Sequence, residues 1–82
     1  MKEFRKYEKE IWEKLEELHD FSDDKIYAKK LIKQIKNLLE RVLSINVDGA
    51  LSEDLDEMTS FVDYVNDVLK EYENKLEEEP EL

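Results

Sequence analysis

The sequence predicts an all-α fold, an antiparallel three-helix bundle with a long acidic C-terminal helix. Three observations predict it. Apolar residues recur at steps of three and four along three separate segments, as on one face of a helix. The chain holds one glycine and one proline, so few positions break a helix. The two breaks between segments are short, and short connections make successive helices antiparallel.

The first helix is expected over residues 2–19. Phe4, Tyr7, Ile11, Leu15 and Leu18 form one stripe, and lysine and glutamate fill the other faces. Trp12 stands about 100° from the stripe centre on a helical wheel. It is expected over the edge of the core, with exposure beside Arg5, Glu8 and His19 as the alternative. His19 falls at the negative end of this helix dipole.

Residues 20–24 make the first break. Ser22 is the expected N-cap of the second helix, with Asp23 and Asp24 at the positive end of its dipole. Phe21 is expected to fold into the core at this corner.

The second helix is expected over residues 23–44. Ala28, Leu31, Ile35, Leu38 and Val42 form its seam. Ile32, Leu39 and Leu43 widen it on one side, and Tyr27 and Ile45 on the other. Lys25, Lys29, Lys33 and Lys36 make a basic row that suits acids of a neighbouring helix or of a dimer mate.

Residues 44–50 make the second break. Asp48-Gly49 marks a turn, and glycine takes positive φ without steric cost. Residues 44–55 also match part of a calcium-binding loop, with Asn46, Asp48, Gly49 and Leu51 in place. Ser44 and Leu55 stand where that loop needs its first and last carboxylates, so the segment reads as a plain turn.

The third helix is expected over residues 52–78, with Ser52 as N-cap. Leu55, Met58, Val62, Val65, Leu69, Tyr72 and Leu76 follow an unbroken heptad, with Leu51 ahead of it and Phe61 and Val68 to one side. This helix is longer than the first can cover, so Tyr72 and Leu76 are expected to project or to meet a second chain. Residues 79–82, around Pro80, read as a frayed acidic tail. A second architecture fits the same pattern. Helices 2 and 3 would form a hairpin that dimerises into a four-helix core, with helix 1 outside.

Eighty-two residues make one domain. There is no cysteine, and no apolar run suits a signal peptide or a membrane span. The expectation is a cytoplasmic protein with no membrane association. The net charge is −10. Residues 46–82 hold thirteen acids against Lys70 and Lys75, so this C-terminal segment accounts for that charge. Such a balance disfavours direct nucleic-acid binding, because phosphates are repelled.

Chemical motifs are sparse. Glu16 and His19 have the spacing of one half of a carboxylate-bridged di-iron site, but His19 is the single histidine. The serines and Thr59 have no general base at hand, and there is no glycine-rich phosphate loop. The expectation is no enzyme, no metal and no cofactor.

The outer face of the third helix remains. Asp56, Glu57, Asp63, Tyr64, Asp67 and Glu71 are its candidate partner-binding residues. An exposed tyrosine supplies contact area, and the acids steer a basic partner. The expected function is a small acidic protein-binding module, an inhibitor that occupies the basic groove of a nucleic-acid-handling protein. A carboxylate row can present charge at phosphate-like intervals. In size, acidity and helical content the chain is similar to phage-encoded inhibitors, such as anti-CRISPR and anti-restriction proteins, and to antitoxins. The alternative is a structural or adaptor coiled-coil module that self-associates, as a homodimer, or binds a partner helix through the third-helix seam.

Overall fold

In the computed structural model, which describes residues 2–78, the chain forms three helices and, among those residues, no strand. They are α1 (Lys2–Asp20), α2 (Lys25–Leu43) and α3 (Ser52–Glu78). The expected tail at 79–82 lies outside the described residues.

Polar contacts between the helices fix their directions. Tyr27 of α2 meets Glu17 of α1, and Gln34 meets Lys14. Numbers rise along α2 as they fall along α1, so the two are antiparallel. Arg5 meets Glu57 and His19 meets Tyr72, at chain separations of 52 and 53. That near-constant offset makes α1 and α3 parallel. The result is an up-down-up bundle, 53 × 17 × 17 Å.

One apolar core runs along the axis. Phe4, Ile11, Leu15 and Leu18 enter it from α1. Ala28, Leu31, Ile32, Ile35, Leu38, Leu39 and Val42 enter from α2, and Met58, Phe61, Val62, Val65 and Leu69 from α3. Burying such a side chain favours folding by roughly 1.5–3 kcal/mol each, so these stripes decide how the helices face. Among the described residues no polar or charged side chain is buried. α1 packs closely on α2. Between α1 and α3 stand aromatic rings, with Phe4 and Phe61 edge to face at 5.8 Å.

The first corner departs from expectation. Asp24, not Ser22, caps α2. Asp24 is extended, at φ −93° and ψ 96°, and its carboxylate accepts a 3.1 Å hydrogen bond from the Tyr27 N–H. The Asp24 N–H in turn donates to the Phe21 carbonyl, so Ser22 lies inside a closed turn. α1 runs one residue further than expected and α2 begins two residues later. Phe21 is also displaced from its expected place. It is half exposed and packs edge to face on Tyr27, because the tight turn directs it along the outside of the corner.

The second break places Gly49 at φ 79°, as the Asp-Gly signal predicts. The Asp48 N–H donates to the Asn46 side chain at 3.0 Å, and Ala50 N–H donates to the Val47 carbonyl. Ser52 is the first residue of α3 rather than its cap, and the Leu55 N–H bonds the Leu51 carbonyl.

Two further apolar calls are corrected. Leu43, expected to widen the seam on one side, is 67% exposed at the last turn of α2. Leu51 is 68% exposed and leaves the heptad, since it precedes the helix. Tyr72 and Leu76, expected to project or to meet a second chain, do not project. They are half-buried against the core, because the offset of 52–53 sets them level with the end of α1 and the α1–α2 corner.

Candidate functional site

Helix periodicity places two ladders opposite each other. Trp12, Glu16 and Asp20 are spaced by four on α1, and Tyr64, Val68 and Tyr72 by four on α3. Because these helices are parallel, the ladders line an open groove of about 410 Å³, with Leu15 in its floor and His19 on its wall.

Trp12 is 43% exposed and Tyr64 50% exposed, the two most open aromatic rings of this side. Their centroids are 5.7 Å apart with planes tilted by 40°. Trp12 also leans on Phe61 at 5.7 Å, so the edge position expected for it is the one observed. At the other end the His19 Nδ1 is 3.4 Å from the Tyr72 hydroxyl, and Lys75 stands 5.7 Å over the Tyr72 ring. Glu16 and His19, the half-motif weighed above for metal binding, face this exposed groove and not the core. Among the described residues no cluster of three metal-ligating side chains occurs.

The six residues singled out on the third helix are all exposed. They divide into two sets. Glu57 is engaged within the chain. Arg5 donates to its two oxygens at 2.9 and 2.8 Å, and to Glu8 at 3.0 Å. The Arg5 hydrogen bonds and charge hold the Glu57 carboxyl below the usual carboxylate range, and they raise the Arg5 pKa in return. Asp56, Asp63, Asp67 and Glu71 enter no ion pair among the described residues, and together with Tyr64 they present an outward acidic strip.

The basic row of α2 lies beside another face of α3. Lys36 pairs with Glu73 of α3, as that row was expected to do with a neighbouring helix. Lys29 and Lys33 line the same shallow depression, with Ile32 and Leu76. On this flank acids and bases therefore meet, whereas the outward strip of α3 carries acids without a paired cation among the described residues.

Sequence reasoning placed Tyr64 on an exposed face and missed its neighbours on α1. Trp12 was read as an edge residue, Glu16 as half of a metal motif and Asp20 as the start of the first break. Only the parallel offset of α1 and α3 brings them beside Tyr64 and Tyr72. The four-residue spacing of an aromatic and two acids was a signal that could have found them. Among the described residues, no helix is long and apolar enough to cross a membrane. Comparison with protein-family models, curated proteins and solved structures finds no match to this chain.

Proposed function

We propose that this chain is a small acidic protein-binding module whose outer α3 face occupies a basic surface of another protein. The observation that carries this reading is the strip of Asp56, Asp63, Asp67 and Glu71. These acids are exposed, and no cation of the described chain pairs with them. Charges placed this way raise the encounter rate with a basic partner and disfavour an acidic one. Tyr64, half exposed beside the strip, supplies a contact with area to bury. A nucleic-acid-handling protein suits the strip because its lysine- and arginine-lined groove already binds a polyanion. The module acts without catalysis, by occupying that groove.

The coiled-coil alternative draws less support. Its seam residues Met58, Val62, Val65 and Leu69 are already buried against α1 and α2 of the same chain.

The experiment is a pull-down with tagged protein from nuclease-treated host lysate, eluted on a salt gradient. A basic nucleic-acid-processing protein released at moderate salt is expected. It should be lost from the triple variant Asp56→Asn, Asp63→Asn, Asp67→Asn, whose far-UV circular dichroism stays unchanged. Capture that survives this variant would overturn the reading.

A further inference from the structure

We infer that the groove between α1 and α3 is a binding site for an arginine side chain carried by a basic peptide segment. This rests on the reading of the chain as a binder of basic proteins, and it names the contact that anchors the partner.

Three features of the groove match a guanidinium. Trp12 and Tyr64 are adjacent, open rings set 5.7 Å apart. A planar cation is attracted to aromatic faces, and to tryptophan most strongly. Glu16 and Asp20 follow Trp12 at intervals of one helical turn, both exposed on the groove. A guanidinium resting on Trp12 can therefore turn its N–H groups to a carboxylate about 6 Å further along, at 1.5 Å per residue. The groove also ends at the C-terminus of α1, where the helix dipole favours positive charge.

The chain uses the same combination internally. Arg5 stands 5.5 Å over the Phe4 ring while its N–H groups hold Glu8 and Glu57. Lys75 rests 5.7 Å over Tyr72 at the far end of the groove itself. That end is thus supplied with a cation, whereas the Trp12–Tyr64 end is flanked by Glu16 and carries none among the described residues. Arginine suits this end better than lysine, because its flat fork stacks and bonds in two directions at once.

The acidic strip lies beside the groove on the same helix. Asp67 and Glu71 each precede a groove residue by one position, Val68 and Tyr72. A basic segment drawn in by the strip can then place one arginine across Trp12 and Tyr64.

Trp12 is the single tryptophan, so its fluorescence reports on the groove in the intact protein. The probe is a short labelled oligo-arginine peptide, read both by Trp12 emission and by anisotropy of the label. The comparison peptide is oligo-lysine of equal length. Saturable change in Trp12 emission is expected with oligo-arginine, at several-fold lower concentration than with oligo-lysine. The double variant Glu16→Gln, Asp20→Asn should weaken binding by about tenfold or more, the scale of one or two charge-assisted hydrogen bonds. Tyr64→Ala should weaken it further, and circular dichroism should show both variants folded. Three results would overturn the inference. They are anisotropy binding with no change at Trp12, equal affinity for the two peptides, and full affinity in the groove variants. If binding is then lost only in the Asp56, Asp63, Asp67 triple variant, the acidic face stands and the groove falls. If the groove variants lose binding and the triple variant keeps it, the groove stands and the outer face falls. If neither peptide binds the wild-type protein, both fall.

Discussion

Arg5 and Glu57, 52 positions apart, share two hydrogen bonds of 2.9 and 2.8 Å that tie the first turns of α1 to α3. The pair is bidentate, the geometry in which a guanidinium holds a carboxylate best. Both side chains are about half exposed, so water screens the interaction and its contribution to stability is small. Its value is directional: it sets the register of two parallel helices whose ladders make the groove.

The pair predicts a pH dependence. Arg5 depresses the Glu57 pKa in the folded protein, while in the unfolded chain it returns to about 4.3. The folded state therefore gains stability from this group at every pH above about 4.3. That gain is lost as pH falls through this value and past the lower folded pKa. Glu57→Gln should lower the urea midpoint at pH 7, with a smaller gap from wild type at pH 3. An equal gap at both pH values, or none at pH 7, would count against the pair.

Capping at the first corner gives a sharper test. Asp24 accepts from the Tyr27 N–H, and Ser22 caps nothing. Asp24→Ala should cost about 1 kcal/mol, the usual value of a lost N-cap. Ser22→Ala should change little. Equilibrium urea unfolding of the two variants distinguishes the cap seen here from the one the sequence suggested.

The corner also shows where sequence reading reaches its limit. Periodicity placed the core correctly, since burial of a stripe depends on spacing along one helix. Ile11, Ile35, Val65 and Leu69 all lie where their stripes put them, with 1% exposure or less. Phe21 and Leu43 did not follow, because their positions depend on how the chain leaves a helix. Ser22 and Asp24 are both acceptable caps by type, and only the 21–24 turn decides between them. The outward acids of α3 were legible for the same reason as the core, being the far side of its stripe. The groove was not, since it is a property of two helices and their offset.

The core positions should respond in proportion to burial. Leu69, 1% exposed, lies in the shared apolar core. Leu69→Ala should cost roughly 2–5 kcal/mol. For a domain whose whole stability is of order 5–15 kcal/mol, that approaches unfolding. Leu43→Ala, at the exposed end of α2, should stay within about 0.5 kcal/mol. Matching losses in the two variants would place Leu43 in the core after all.

Gly49 offers a test free of packing effects. Its φ is 79°, and a Cβ built there meets nothing within 4 Å. The cost of Gly49→Ala is thus backbone strain alone, about 1–2 kcal/mol for a left-handed residue with a side chain. Gly49→Asn should cost less, because asparagine tolerates this region. Thermal unfolding of the two variants should rank them wild type, then Asn, then Ala. A stable alanine variant would mean that the turn adopts another conformation.

Phe61 links the fold to the groove. It is 8% exposed, meets Phe4 edge to face at 5.8 Å and supports Trp12 at 5.7 Å. It therefore does two things at once: it spaces α1 from α3 and forms the floor on which Trp12 rests. Phe61→Ala should cost roughly 3–5 kcal/mol and report mostly on the core. Phe61→Leu is the informative change. It keeps apolar burial and lowers the loss, but removes the ring beneath Trp12. Trp12 emission should shift to longer wavelength as water reaches its inner face, and its near-UV circular dichroism should weaken, while the far-UV signal stays helical. If oligo-arginine binding falls with that shift, Phe61 acts on the site by positioning Trp12. If emission is unchanged in Phe61→Leu, Trp12 is held by Tyr64 alone, and the arginine site depends on α3 more than on the spacing between helices.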